Sequence, residues 1–351
     1  MKIKYYNLSK ILSINAQYNI IFGERSNGKS YAIKKHCIVD GFKNGKKFVY
    51  VRRYSIDTTS AVVTQYFDDM DIRELTENEF DCLEVKSRKI NLCKMDYEKM
   101  KVTARLQIGY VMHLSGAEHY KSLSYPNTDK MIFEEFVTNE GYLTDEPSKL
   151  MNIVSTVFRN NEGKVFMIGN TVNRLCPYFT EWQLTNIPTQ KQDTIDTYNV
   201  KYDDVTVRIA CEYCGNAENK KNKMFFGRIA DNIIGGSWEV QTYPKAPKGK
   251  DNIQCRILLK HPQFNYSINL MTNSIGECYV KIAPQNNIET EGMYTFILTQ
   301  DFSTKPLHVK TLRYFSIGKL LKKLYDNGTF CYSDNLTGTE FNNIIKDWCI
   351  W

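Results

Sequence analysis

The sequence predicts an α/β protein in which a mostly parallel sheet carries a phosphate-binding loop. Three observations lead to that fold class. Short apolar runs alternate with helical stretches over about the first 200 residues, as in parallel α/β sheets. A glycine-rich loop joins the first apolar run to a helical stretch. A later apolar run ends in two consecutive glutamates.

Five apolar runs are predicted to form the strands of this sheet: residues 18–22, 47–51, 106–114, 130–136 and 164–170. Between the second and the third, residues 82–96 alternate in the manner of a β-hairpin. Residues 148–160 carry apolar side chains at helical spacing, from Leu150 to Phe158, so we expect a helix with one buried face.

The composition changes after residue 205, where polar and turn-forming residues become frequent. Beyond residue 246, strand-like alternation returns and is followed by a helical stretch. We therefore predict three parts: a nucleotide-binding domain over residues 1–205, a linker domain over 206–245 and a smaller mixed domain over 246–351.

Charge and cysteine usage narrow the class of protein. Lys and Arg number 46 against 39 acids, and this net charge of +7 permits a polyanionic partner without requiring one. The ten cysteines show no disulfide framework, which suits a reducing compartment. Only Cys211 and Cys214 are closely paired, and a structural zinc needs two further ligands, so we predict no zinc site. No apolar run reaches the roughly 18 residues of a membrane span, and we expect a soluble intracellular protein.

The loop from Gly23 to Ser30 matches the phosphate-loop pattern G-x-x-x-x-G-K-[ST]. Gly23 and Gly28 allow a tight turn whose backbone N–H groups point at phosphate oxygens. Lys29 adds positive charge at the β- and γ-phosphates, and the Ser30 hydroxyl is a Mg²⁺ ligand. The helix that follows directs its positive end at the same anion. The predicted nucleotide-binding residues of the loop are Gly23, Arg25, Ser26, Asn27, Gly28, Lys29 and Ser30.

The apolar run that ends in Glu134 and Glu135 supplies the carboxylates that hydrolysis requires. Successive strand residues face opposite sides. At a strand end, one acid can address Mg²⁺ through water while its neighbour addresses the attacking water. We assign Glu134 to the metal and Glu135 to general base or water positioning. The alternative interpretation is a pair of solvated acids at a strand end.

Three further residues are candidates for contact with the γ-phosphate or the transition state. Arg159 follows the predicted helix and is either an arginine finger for a neighbouring subunit or a cation that favours the helix dipole. Arg25 lies in the loop and either senses the γ-phosphate or is solvated. Asn170 ends the last predicted strand, as a polar sensor or a strand cap.

Several segments coincide, in order and spacing, with one family: FGERSNGKSYAIK, FVYVRRY, KSLSYPNTDKMIFEEF, TVFRN, CPYF and FFGRIADN. Through them the chain resembles the DNA-packaging ATPases of phi29-like short-tailed phages, which are relatives of the terminase large subunits. The resemblance covers nearly the whole chain and is strongest over residues 20–179. The acid before the catalytic glutamate is usually Asp in this family and is Glu134 here. Residues 93–104 form an insertion-like segment.

The resemblance implies an α/β fold of three parts. They are a RecA-like ATPase domain of the additional-strand catalytic-glutamate class, a linker domain, and a C-terminal RNase H-like domain without nuclease activity. It implies ATP and Mg²⁺ as cofactors. By position, Glu135 is the catalytic glutamate, Arg159 the finger supplied in trans, Arg25 the loop arginine, and Asn170 falls near the sensor.

The resemblance also implies partners and a place of action. Such a motor hydrolyses ATP to move double-stranded DNA through the portal into a preformed capsid. It works as a pentameric ring, is monomeric in isolation where assembly depends on the portal, and in some relatives uses a structural packaging RNA. We expect it in the host cytoplasm, docked transiently on the procapsid and absent from the mature virion.

A motor that moves any sequence should grip phosphates rather than base edges. Arg52, Arg53 and Lys121 are the predicted DNA contacts, with solvated charges as the alternative. Residues 246–351 contain twelve basic and nine acidic residues, and no strand-borne pair of acids, so we predict a binding platform there rather than a nuclease.

Two other functions stay open on the residues alone. A small-molecule kinase uses the same loop but transfers phosphate to an acceptor and does not need Glu135. An ATP-binding, DNA-associated protein with little turnover would depend on neither acid for hydrolysis. Substitution of Glu135 by Gln separates the three functions.

Overall fold

The computed structural model of the chain describes residues 5–159, 161–202, 205–215, 238–247, 251–261, 264–285, 294–298 and 307–348. These residues form two compact units. As far as the chain is described, the first unit draws on residues 1–138, 143–172 and 186–237, and the second on 139–142, 173–185 and 238–351. Within the same described ranges, no helix is long and apolar enough to cross a lipid bilayer.

Among the residues that the structure describes, the first unit is built on nine strands with helices between them. The strands are β1 (Tyr18–Gly23), β2 (Lys47–Arg52), β3 (Cys82–Lys86), β4 (Lys89–Asp96), β5 (Lys101–His113), β6 (Thr128–Glu134), β7 (Lys164–Asn170), β8 (Thr194–Tyr202) and β9 (Val205–Cys214). The α-helices are α1 (Ser9–Ser13), α2 (Lys29–Asn44), α3 (Ser60–Phe67), α4 (Ile72–Leu75) and α5 (Glu146–Phe158). Short 3₁₀ helices span Ser55–Thr58, Leu114–Tyr120 and Ile187–Thr189.

These strands form one sheet in the order β3-β4-β5-β2-β6-β7-β1-β9-β8. The six strands from β5 to β9 in that order are mutually parallel, while β3, β4 and β8 pair antiparallel at the edges. The five predicted strands, the hairpin and the helix before β7 are confirmed. The carboxyl ends of the parallel strands meet at one edge, where ligands bind in open α/β sheets.

The sheet does not end at the predicted domain boundary. Residue 205 is the first residue of β9, which lies between β1 and β8 and pairs with β1 from Tyr18 to Gly23. The second half of β9 is buried, because Ile209, Cys211 and Tyr213 complete the core beside β1. The polar residues that become frequent after residue 205 are typical of turns, and they account for the boundary predicted there. The predicted linker 206–245 is therefore divided: 206–214 belong to this sheet, 216–237 lie outside the described residues, and 238–245 belong to the second unit.

The described part of the second unit contains six strands: β10 (Asn252–Lys260), β11 (Asn265–Thr272), β12 (Cys278–Pro284), β13 (Tyr294–Ile297), β14 (Leu307–His308) and β15 (Phe330–Tyr332). Its helices are α6 (Pro177–Glu181), α7 (Ser316–Asp326) and α8 (Asn335–Trp348), with a 3₁₀ helix at Val309–Tyr314. The sheet order is β14-β13-β10-β11-β12-β15. β10, β11 and β12 form an antiparallel meander, and β13 runs parallel to β10.

Candidate nucleotide-binding site

The phosphate loop connects β1 to α2, and its backbone requires both glycines of the pattern. Gly23 has φ 141°, and a Cβ atom there would lie 2.3 Å from the carbonyl oxygen of Cys214. Gly28 has φ 93° and is the N-cap of α2. Residues with a side chain rarely adopt either backbone conformation, so both positions require glycine.

The N-terminal segment supports this loop from outside the pattern. The Tyr6 backbone N–H donates to the carbonyl oxygen of Asn27 (3.0 Å), and the Tyr6 hydroxyl donates to Glu212 Oε2 (2.6 Å). Asn27 is buried, and its Oδ1 accepts from the Lys29 backbone N–H at 3.2 Å. The sequence carries no signal for the role of Tyr6, since its partners lie far away along the chain.

Lys29 is buried at the bottom of the loop, where its ammonium group donates to the backbone carbonyl of Glu24. Burial lowers the pKa of Lys29, because the charged form loses hydration. Nearby carboxylates, including Glu134, act in the opposite direction. This lysine is therefore held within the loop that the pattern assigns to phosphate.

Glu134 ends β6, and each of its two carboxylate oxygens accepts a hydroxyl hydrogen. Ser30 Oγ donates to Oε1 at 2.6 Å, and the Tyr66 hydroxyl donates to Oε2 at 2.7 Å. Burial raises the pKa of Glu134, and the two hydroxyl donors oppose that shift. Ser30 and Glu134, each predicted to address Mg²⁺, are thus adjacent, whereas Tyr66 belongs to none of the sequence motifs.

Glu135 faces a different partner from Glu134. It follows the strand with φ 56°, its side chain is 57% exposed, and its Oε2 accepts from Arg52 Nη2 at 2.5 Å. Arg52 also lies 4.0 Å from Asp57. The prediction that Arg52 contacts DNA is at odds with this arrangement, because its guanidinium already pairs with the predicted catalytic glutamate.

Arg53 is buried and is not available to DNA, so its predicted role as a phosphate contact is wrong. Its guanidinium forms two hydrogen bonds to the Glu146 carboxylate, at 2.8 and 2.9 Å. It also donates to the carbonyl oxygens of Glu135 (3.0 Å) and Phe136 (2.8 Å). Arg53 thus anchors the chain that follows β6, and the Arg-Arg sequence gives no indication of which arginine turns inward.

A cavity of about 970 Å³ lies over the phosphate loop. Arg25, Lys29, Ser30, Glu134 and Glu135 line it together with the end of β7, which includes Asn170. Asn170 is the register partner of Gly23 across the β1–β7 pair.

Arg159 and Lys121 lie outside this cavity. Arg159 caps α5 with φ 44°, is exposed, and donates from Nη2 to the Leu123 carbonyl oxygen at 2.6 Å. It lines a second cavity of about 900 Å³. Lys121 is exposed and pairs with Glu118 at 2.5 Å.

Cys211 and Cys214 lie three residues apart on β9, so their side chains point to opposite faces of the sheet. Within the described ranges, no group of three or more His, Cys, Asp or Glu side chains could hold a metal ion.

The loop, its helix and the acid bonded to the loop serine place the first unit among P-loop nucleotide-binding proteins. Comparison with known proteins defines the family. The chain belongs to the podovirus DNA encapsidation proteins (Gp16), whose family model matches residues 1–276. The resemblance that the motifs indicated is thereby confirmed.

Two relatives illustrate the relationship. The chain is 34% identical over 234 residues to the DNA packaging protein of Bacillus phage phi29, a match that covers 66% of this chain and 63% of the relative. It is 32% identical over 225 residues to the DNA packaging protein of Bacillus phage B103, covering 63% and 62%. The matched region thus spans less than two thirds of either relative.

Two solved structures share the fold. One is the phi28 gp11 DNA packaging motor, with a TM-score of 0.56 and 19% identity over 98% of both chains. The other is the bacteriophage phi29 viral genome packaging motor assembly, with a TM-score of 0.53 and 24% identity over 97% of this chain and 99% of that one.

Proposed function

We propose that this chain is the ATPase of a viral DNA-packaging motor, which hydrolyses ATP to move double-stranded DNA through the portal into a preformed capsid. One observation carries the enzymatic part of the proposal. Glu134 is hydrogen-bonded to the loop serine, and Glu135 lies beside it on the same cavity, held by Arg52. Membership of the DNA encapsidation family supports the packaging part.

Strand order supports a RecA-like domain of the additional-strand class. One strand, β7, lies between the strand that precedes the phosphate loop and the strand that ends in the acids. In the second unit, the meander β10-β11-β12 is followed by β13, which pairs parallel with β10, and by β14, which pairs parallel with β13. We infer an RNase H-like domain from that order.

We infer that this second domain is a binding platform rather than a nuclease. None of the six described strands contains an Asp or Glu within its bounds, so the sheet offers no strand-borne carboxylate to a pair of metal ions. Metal-dependent cleavage of plasmid DNA by the full chain would overturn this inference.

The oxygen donors at the loop fit magnesium and a nucleoside triphosphate. Ser30 Oγ and the Glu134 carboxylate are hard oxygen donors, which Mg²⁺ prefers, and they are already adjacent. When bound, Mg²⁺ supplies charge neutralisation at the β- and γ-phosphates. We infer that Lys29, the loop backbone and the amino end of α2 bind phosphate oxygens. We also infer that Arg25 and Asn170, which line the same cavity, contact the terminal phosphate.

Glu135 is the proposed general base or water-positioning residue, and Arg52 sets the direction of its carboxylate. Arg159 does not line the nucleotide cavity of its own chain, which agrees with a finger supplied to a neighbouring subunit. We infer a homo-oligomeric ring, pentameric by family resemblance, that docks transiently on the procapsid in the host cytoplasm. Double-stranded DNA and the portal are its partners, with a structural packaging RNA as a further one.

Mixing two inactive variants tests both the enzyme and the ring. We expect Glu135→Gln to bind ATP but not hydrolyse it, and Arg159→Ala to lose hydrolysis through the missing finger. In a mixture, some interfaces combine an intact Glu135 with an intact Arg159 from the neighbour, so hydrolysis should return. ATP hydrolysis is measured with double-stranded DNA over a range of protein concentrations, with Arg73→Ala as a matched control that removes an exposed arginine outside every predicted site.

The outcomes separate the candidate functions. Recovery of hydrolysis in the mixture supports a motor whose sites are completed between subunits. Glu135→Gln that still transfers phosphate to an acceptor indicates a kinase. A wild-type chain that binds ATP without turnover, with or without DNA, indicates a passive binder.

A further inference from the structure

Tyr66 contacts the proposed metal site from outside every sequence motif. It lies on α3, 68 residues before Glu134, and its hydroxyl donates to Glu134 Oε2 at 2.7 Å. Ser30 Oγ donates to the other oxygen at 2.6 Å. The two hydroxyls together restrain both oxygens of one carboxylate.

Tyr66 is itself held on several sides. Its ring lies against that of Tyr50, with centroids 4.7 Å apart, and the Lys34 ammonium lies 4.5 Å from its centroid. Lys34 Nζ also donates to the Tyr66 carbonyl oxygen at 2.7 Å, and this lysine is buried on α2. The hydroxyl is therefore positioned by the phosphate-loop helix and by β2 at once.

A glutamate at this position needs such a restraint more than an aspartate would. Glu134 has one more rotatable bond than Asp, so its carboxylate can occupy more positions around the strand end. Ser30 is itself the proposed metal ligand, so a second hydroxyl is needed to orient the carboxylate when the Ser30 oxygen binds the metal. Partners that orient a ligand in this way strongly affect metal affinity.

We propose that Tyr66 is a positioning residue that holds the Glu134 carboxylate in the orientation in which it serves Mg²⁺. This inference rests on the proposed function, because it assigns Tyr66 a role in that same metal site. It makes a specific claim of its own: removing the Tyr66 hydroxyl changes the magnesium requirement and not the maximal rate.

The test compares Tyr66→Phe with Tyr18→Phe. The first keeps the ring that contacts Tyr50 and removes only the hydroxyl. The second removes the hydroxyl of a tyrosine at the other end of β1, where it contacts Met151 Sδ at 3.6 Å. ATP binding and ATP hydrolysis are each followed as a function of Mg²⁺ concentration. We expect Tyr66→Phe to raise the half-saturating Mg²⁺ about 10-fold in both assays, with a maximal rate close to wild type and with Tyr18→Phe unchanged.

A second background shows whether Tyr66 acts through Glu134. In Glu134→Asp the side chain is one methylene shorter, so the carboxylate no longer contacts the Tyr66 hydroxyl. We therefore expect Tyr66→Phe to have little further effect there. An equal shift in both backgrounds would mean a general structural effect and would overturn the inference.

The remaining outcomes distinguish this inference from the proposed function. If wild type hydrolyses ATP and Tyr66→Phe shows the wild-type Mg²⁺ curve, the inference fails and the ATPase stands. If wild type binds ATP with Mg²⁺ but does not hydrolyse it, while Tyr66→Phe still shifts the binding curve, the ATPase fails and the inference stands. If wild type binds ATP without responding to Mg²⁺ and does not hydrolyse it, both fail.

Discussion

Replacing Arg53 by Met tests the corrected role of this arginine. Methionine keeps much of the side-chain length but removes four hydrogen bonds, two to Glu146 and two to the carbonyl oxygens of Glu135 and Phe136. The Arg53 side chain is 7% exposed and that of Glu146 is fully buried, so the substitution removes the paired cation from a carboxylate that stays buried. The Leu143 backbone N–H still donates to that carboxylate at 2.9 Å. Breaking a pair of this kind costs about 3–5 kcal/mol.

Calorimetry of the full chain measures that cost. The transition that ATP and Mg²⁺ shift upward identifies the first unit, because a ligand stabilises the fold that binds it. A loss of 3–5 kcal/mol should lower its midpoint by roughly 6–20 °C for a unit of this size. We also expect ATP hydrolysis at 25 °C to fall by about 10- to 100-fold, because the chain around Glu135 loses its anchor.

Two controls sharpen this prediction. Lys121→Met removes an exposed cation and should change stability by less than about 0.5 kcal/mol. Arg53→Met combined with Glu146→Leu removes both charges and should recover part of the loss. The reasoning is refuted if Arg53→Met keeps the wild-type midpoint and basal hydrolysis but loses stimulation by DNA, since that is the pattern of a phosphate contact.

Two further predictions each concern one residue, Gly23 in the first unit and His261 in the second. Gly23→Ala should destabilise the first unit by about 2 kcal/mol or more, because its Cβ would meet the Cys214 carbonyl oxygen. Gly45→Ala, with φ 64° and no atom within 4 Å of its Cβ, should cost only about 1 kcal/mol. Equal midpoints for the two variants would contradict this. Burial lowers the pKa of His261 to about 4, so between that value and the usual 6.5 the unfolded chain binds a proton that the folded chain does not. The second unit should therefore lose about 2 kcal/mol between pH 7 and pH 5 relative to His261→Gln, and parallel pH–stability curves for the two proteins would refute it.

Much of the first unit was predictable because its strands are short apolar runs and its phosphate loop requires particular residue types at a fixed spacing. Glycines at 23 and 28, a lysine at 29 and a serine at 30 are required by the loop geometry, and the structure shows positive φ at both glycines. The boundary at 205 was wrong for a physical reason: a strand buried between two others need not alternate, and polar residues near its end resemble a turn.

The roles of Arg52 and Arg53 could not be told apart in advance. Two adjacent arginines at a strand end point to opposite sides, and the sequence does not say which side is covered. The covering group for Arg53 is Glu146, which lies 93 residues away, while the partner of Arg52 lies 83 residues away. Both contacts depend on which strands become neighbours in the sheet.

By itself, then, the sequence determined the phosphate loop, the acidic strand end, the strands that carry them and the family. Those features depend on short-range chemistry: backbone freedom at glycine, apolar periodicity and the charge of a few side chains. Only the tertiary structure decided that Tyr66 reaches Glu134, that Arg52 holds Glu135, and that Arg53 is buried beneath the same chain segment. Such contacts join elements far apart in the chain, and they exist because the order β2-β6-β7-β1 brings the ends of those strands to one edge.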